Sequence, residues 1–167
     1  MTRNRATLIG LTAILMWSLL ALLTIGSAPV PPLQLNAVCF GIGGLIGLVW
    51  TARNGLAVLG RISWRVYAFG TIGLFGYHAL YFTAFRLGPN ASTGLIAYLW
   101  PLFIVLLSGL LPGERLRWPH VLGALVALAG AALIVLSAET GPGGANLPAL
   151  VLAFLCALTW AGYSVLS

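Results

Sequence analysis

The sequence predicts an all-α integral membrane protein of about six transmembrane helices, with its amino terminus in the cytoplasm. Three observations carry this. Of the 167 residues, 60% are hydrophobic and only 6% are charged, where a soluble domain needs roughly 25% charged residues to coat its surface. Six apolar runs are each long enough to cross a hydrocarbon core of ~30 Å. The arginines fall almost entirely on one side of those runs, the asymmetry that sets orientation in a bilayer.

The first run, Thr7–Ile25, follows Arg3 and Arg5, a start that looks like a secretory leader. Its length and the spans behind it make it a retained first helix. The segment Ala28-Pro29-Val30-Pro31-Pro32 turns the chain into the second run, Leu33–Thr51. The less apolar link Ala52–Ser63, with Arg53 and Arg61, leads to the third, Trp64–Phe85. Leu87-Gly88-Pro89-Asn90 breaks to the fourth, Ser92–Leu111, and Pro112-Gly113 to the fifth, Val121–Ser137. Gly141-Pro142-Gly143-Gly144 precedes the sixth, Leu147–Ser167. Pro and Gly punctuate each break, and such short links leave successive helices antiparallel neighbours.

With the amino terminus inside, Arg3, Arg5, Arg53, Arg61, Arg65, Arg115 and Arg117 are cytoplasmic, and Arg86 alone is external, at a helix end where it can snorkel. The net charge of +6 therefore reflects topology. A nucleic-acid partner would need a clustered basic face, and none is expected; the partner of this surface is the lipid bilayer. Cys39 and Cys156 fall inside apolar runs and read as packed thiols, without metal-ligand spacing.

The two acidic residues are Glu114, in a cytoplasmic link, and Glu139, in an external one, so no carboxylate lies within a span. Proton-coupled carriers commonly place Asp or Glu at membrane depth; here that task could fall only to a histidine. With no Ser/His/Asp grouping, no phosphate-binding loop and no metal cluster, neither an enzyme nor a cofactor is expected.

His78 is the one ionisable side chain near the middle of a span. It reads as a hydrogen-bonded packing residue, as a cavity-lining contact for a substrate, or as a proton-coupling group. Trp50, Trp64, Tyr67 and Trp118 sit at helix ends, where amphipathic rings form an interfacial belt, and His120 joins them there. Trp17, Trp100, Trp160, Tyr77, Tyr81 and Tyr98 fall at mid-helix, with Tyr163 about one turn beyond Trp160. Their N–H and O–H groups need partners that hydrocarbon does not offer, which favours positions facing the interior or a cavity. Packing between helices is the alternative for each. The candidate substrate-binding set is Trp17, His78, Tyr81, Tyr98, Trp100, Trp160 and Tyr163.

Gly43 and Gly47 on the second run, and Gly123 and Gly130 on the fifth, are spaced to let helices approach closely. Pro101 removes a backbone donor inside the fourth run and should bend it near Tyr98 and Trp100.

Ala13-Ile14-Leu15-Met16-Trp17-Ser18 in the first helix and Cys156-Ala157-Leu158-Thr159-Trp160-Ala161 in the sixth align, with Trp160 at the place of Trp17. Five helices separate the two starts, so a second copy would enter from the opposite side, as in inverted-repeat carriers. The sixth run reaches Ser167 without a polar tail. A carboxy-terminal half, or another copy of the chain, is therefore an expected partner.

The stretch Ala91…Leu99-Trp100-Pro101-Leu102, Pro112-Gly113-Glu114-Arg115 and Gly123…Gly130 resembles the EamA-type repeat of the drug/metabolite transporter superfamily. The run Ile96-Ala97-Tyr98-Leu99-Trp100-Pro101-Leu102 is most similar to the aromatic amino acid exporters of the YddG type. The resemblance implies ten helices in two inverted five-helix repeats around a central cavity. Residues 1–137 would be the first repeat, 138–146 an external loop, and 147–167 the first helix of a truncated second repeat. It implies export of aromatic or other apolar amino acids across the cell inner membrane by alternating access. A carrier of another small metabolite or drug with the same fold, and a non-transporting membrane scaffold, stay open beside it.

Overall fold

A computed structural model describes residues 3–113, 116–139 and 146–167. Glu114, Arg115 and the turn 141–144 lie outside these residues, and the side chain of Glu139 is likewise not described.

The described residues are helical with short links. The first apolar run is two helices end to end, α1 (Arg3–Ser18) and α2 (Leu20–Gly26). At their junction the Ser18 hydroxyl donates to the Leu15 carbonyl at 2.7 Å, a side-chain bond that competes with the helical ladder. The second run is α3 (Pro32–Asn54), started by Pro in its first turn, where a missing N–H costs nothing. It is ended by Gly55, whose φ of 104° suits only glycine.

The link to the third run contains a 3₁₀ turn over Leu56–Arg61. The third run is α4 (Trp64–Gly70), a π-helical turn over Thr71–Phe75, and α5 (Gly76–Leu87), without a break in the chain. The fourth divides into α6 (Asn90–Ala97) and α7 (Trp100–Ser108) at Tyr98 and Leu99. Pro101 is the reason: it cannot donate back to Ala97, yet it fits the first turn of a new helix. The expected bend is thus a two-residue turn within the span. The remaining helices are α8 (Trp118–Glu139) and α9 (Leu147–Leu166).

Four of these segments, Arg5–Gly26, Pro32–Arg53, Asn90–Ser108 and Leu147–Leu166, are long and apolar enough to cross a membrane, and Trp118–Leu133 is a shorter apolar helix. The bundle is organised around α9, which packs on α5, α7 and α6. Ala149, Ala153, Cys156, Ala157 and Ala161 give it a fully buried face of small side chains. Lipid supplies no hydrophobic drive between helices, so close backbone approach and dispersion contact hold this face.

At one end of the bundle the polar ties concentrate. Asn146 accepts from the backbone N–H of Ala149, starting α9, and its amide donates to the Leu87 carbonyl at 2.6 Å, at the end of α5. The neighbouring Arg86 does not snorkel. Its guanidinium donates to the Val30 carbonyl (3.1 Å), the Thr24 carbonyl (3.1 Å) and the Ser27 hydroxyl (2.9 Å), capping α2 and clasping the loop before α3. A cation at a helix carboxy terminus also complements the helix dipole.

The glycines divide unexpectedly. Around Gly43, Gly47, Gly123 and Gly130 a methyl group would meet nothing within 4 Å, so among the described residues no neighbour packs closely on those positions. Close approach falls elsewhere. At Gly88 a Cβ would collide with Ala149 and Thr93. At Gly73 it would run into the ring of Tyr163.

Candidate functional site

The site is built on α5, where Tyr77 and Tyr81, at i and i+4, share one side of the helix, while His78, one residue after Tyr77, is turned roughly 100° from it. Tyr77 and Tyr81 face the bundle interior, 3% and 1% exposed. From them a continuous aromatic chain runs to α1 and α9. Tyr77 meets Trp160 with ring centroids 4.8 Å apart, and Trp160 meets Trp17 at 5.0 Å. Tyr81 lies 5.7 Å from Tyr77 and 4.6 Å from Phe85. Trp160 also contacts Tyr163 at 5.8 Å, and Tyr163 stacks on Phe69 at 5.2 Å with the rings 26° apart. Tilted and edge-on pairs at these separations are the favourable geometries for aromatic quadrupoles.

The chain opens where helices of the bundle do not close over it. Trp17 is 44% exposed and lines a cavity of about 420 Å³ with Ala13, Met16, Leu20 and His78. A second cavity, of about 460 Å³, lies between Leu20, Cys39, Phe40, Gly43, Gly44, His78 and Phe82. Leu20 and His78 belong to both, so the two cavities form one groove between α1–α2, α3 and α5.

Within it, Nδ1 of His78 lies 2.8 Å from the Leu74 carbonyl. A carbonyl only accepts, so Nδ1 carries the hydrogen, and in the neutral ring Nε2 is left with the lone pair. The ring is held edge-on by Tyr77 (4.8 Å), Phe40 (5.3 Å) and Phe82 (5.7 Å). A neutral acceptor set among aromatic faces can take an N–H or ammonium donor from a ligand while apolar rings cover its body.

Of the residues expected from sequence, Trp17, His78, Tyr81, Trp160 and Tyr163 are brought together. Tyr98, on the turn between α6 and α7, is 47% exposed. Its phenol lies beside that of Tyr81, although the Tyr81 hydroxyl makes no hydrogen bond among the described residues. Trp100 is apart, packed with Phe103, Ala157 and Ala161. Cys156 is buried as expected, whereas Cys39 is exposed on the groove. Trp50, Trp64, Tyr67 and Trp118, expected at the interface, are exposed.

Three participants were not selected from sequence. Tyr77 belongs to the mid-helix set and joins His78, Tyr81 and Trp160. Phe40 is indistinguishable from core Phe in a sequence. Asn36, fully buried with its amide donating to the Phe75 carbonyl at 3.1 Å, did carry a signal, because an amide inside an apolar run needs a partner.

Comparison with known proteins places this arrangement. Residues 4–136 match the model of the EamA-like transporter family. The chain is 52% identical over its whole length to a protein of Ancylobacter novellus named aromatic amino acid exporter YddG, covering 59% of that relative. It is 35% identical to the protein of the same name from Salmonella typhimurium and 29% identical to that from Escherichia coli, matching 98% of this chain and 59% of each relative. A solved structure titled "Crystal structure of protein" superposes with a TM-score of 0.67 at 51% identity, covering 98% of this chain and 57% of that one. The chain thus spans about three-fifths of the length of the relatives it matches, and its own 4–136 carry the family's pattern. It belongs to the EamA-like transporter family.

Proposed function

We propose that the protein exports aromatic and other apolar amino acids across the cell inner membrane by alternating access, with the groove at His78 as the substrate site. The single observation that carries this reading is the aromatic chain Trp160–Trp17 ending at an open groove whose polar group is the His78 Nε2 lone pair. An indole or phenyl side chain would stack on Trp17 and Trp160. The substrate ammonium would donate to Nε2. Relatives named as aromatic amino acid exporters support the substrate class.

In this reading the amino terminus is cytoplasmic and the chain crosses the membrane six times. Residues 1–137 form one five-helix repeat, and 147–167 open an inverted second one. The Trp17–Trp160 contact supports the inversion. Residues related by a two-fold axis in the membrane plane touch only near that axis, and these two are the pair the internal repeat aligns. No carboxylate lies within a span of residues 1–167, and a carrier that follows the amino acid gradient needs none. The groove-facing glycines leave room for the rocking that alternating access needs.

The test is uptake into liposomes holding the full-length protein. Flux of Trp, Phe, Tyr or Thr above empty liposomes is expected, and its absence would sink the proposal. Competition by unlabelled metabolites separates amino acid export from another cargo. Aqueous thiol labelling of cysteines placed at positions 78, 81 and 98 separates a transporter from a scaffold, in which all three stay protected.

A further inference from the structure

Asn36 and Phe40 are four residues apart and so lie on one face of α3. Asn36 is wholly buried. A buried amide is costly unless bonded, and here its Nδ2 donates to the Phe75 carbonyl at 3.1 Å while its Oδ1 has no partner among the described residues. Phe40 sets its ring edge-on to those of both Phe75 (5.6 Å) and His78 (5.3 Å).

Phe75 is the last residue of the π-helical turn. Such a turn holds one residue more than an α-turn and occurs mostly as a single turn inside an α-helix. An α-helix takes 3.6 residues to the turn, so the extra residue rotates everything after it by roughly 100° about the axis. The direction in which Tyr77, His78 and Tyr81 point therefore depends on the wide turn being kept. The same turn supplies the Leu74 carbonyl that sets the His78 hydrogen on Nδ1.

We infer that Asn36 and Phe40 are positioning residues: from α3 they grip the end of the π-turn and so aim the imidazole of His78, Nε2 outward, into the groove. This inference rests on the reading of the groove as the substrate site, but it concerns how His78 is oriented rather than what it binds. Asn36 holds the backbone and Phe40 holds the ring, which makes two independent handles on one side chain.

The experiment is ¹⁵N spectroscopy of histidine-labelled full-length protein in lipid nanodiscs, with the His78 signals assigned by their loss in His78→Gln, together with titration of L-tryptophan. The unsubstituted protein should show His78 protonated at Nδ1. In Asn36→Leu, which keeps the volume and removes the donor, the pair of ring shifts should move toward a mixture of tautomers, and L-tryptophan affinity should fall roughly tenfold, the worth of one hydrogen bond to a polar group. Phe40→Leu should move the same signals and is the deciding variant if Asn36→Leu does not fold. His78 shifts that stay unchanged in the folded variants would overturn the inference. If the shifts move but L-tryptophan binds neither the variants nor the unsubstituted protein, the positioning stands and the substrate assignment fails.

Discussion

The two sides of α5 use the same residue types to opposite ends. Toward α9, Tyr77 and Tyr81 are sealed among Ala153, Cys156 and their neighbours, and the helices meet through side chains too small to keep them apart. Toward α3, His78 stands on a groove bordered by Gly43, Gly44 and the exposed Cys39. In the candidate span of α9, 33% of residues are buried, against 6% in that of α3. An aromatic ring at membrane depth is thus structural where small residues bring a helix onto it and available where they leave space. Gly43, which by its spacing looks suited to packing, sits on the available side.

The thiols should show this difference most strongly. Cys39 opens on the groove and Cys156 is fully buried. A small maleimide should modify Cys39 in the folded protein and reach Cys156 only through unfolding, which for a marginally stable domain separates the rates by several orders of magnitude, roughly 10³-fold or more. Mass spectrometry of Cys39→Ser and Cys156→Ser proteins measures each site alone. Equal rates would mean that α9 does not seal the core.

Overpacking comes next. Ala153→Leu puts a branched side chain where none is exposed, and should cost about 1–3 kcal/mol or prevent folding, read as a lowered thermal midpoint in detergent. Arg86→Gln should cost about 2 kcal/mol, because it exchanges charge-assisted bonds to Val30, Thr24 and Ser27 for the neutral bonds of a shorter amide with two donors. Loss at Arg86 should also free the loop 27–31 to proteolysis while α9 stays protected. A protein that loses all its helices to protease together would show that the clasp holds the whole fold.

How much of this was legible depended on range. Helix existence follows from run length, and Pro101 marks the break in the fourth run because its missing N–H is a local fact. The junction at Leu19 and the π-turn at Thr71–Phe75 carry no comparable local mark. Gly73 is small because Tyr163, ninety positions away, lies on it, and Arg86 is bound by carbonyls more than fifty residues upstream. The mid-helix aromatics were legible as a set through their unmet hydrogen-bonding needs. Which of them open on the groove was not, since that depends on the neighbouring helix. Asn36 shows that the same argument, applied to amides as well as rings, would have found one more residue.

The smallest effect expected is the sharpest test of the open side. Gly43→Ala adds a methyl group to a position with nothing within 4 Å, in the middle of α3, where alanine is intrinsically the better helix former by about 1 kcal/mol. The thermal midpoint should therefore hold or rise slightly. Transport is a separate matter, because Gly43 borders the cavity that His78 lines; Gly43→Leu should narrow it and lower the affinity for tryptophan more than for threonine, the smaller ligand. If Gly43→Ala instead lowers stability by about 1 kcal/mol or more, in the range of overpacking, then another helix of the full-length protein already occupies this face. The groove would then be a packing seam, and the contrast between the two sides of α5 would hold only for the three-fifths of the relatives' length that this chain matches.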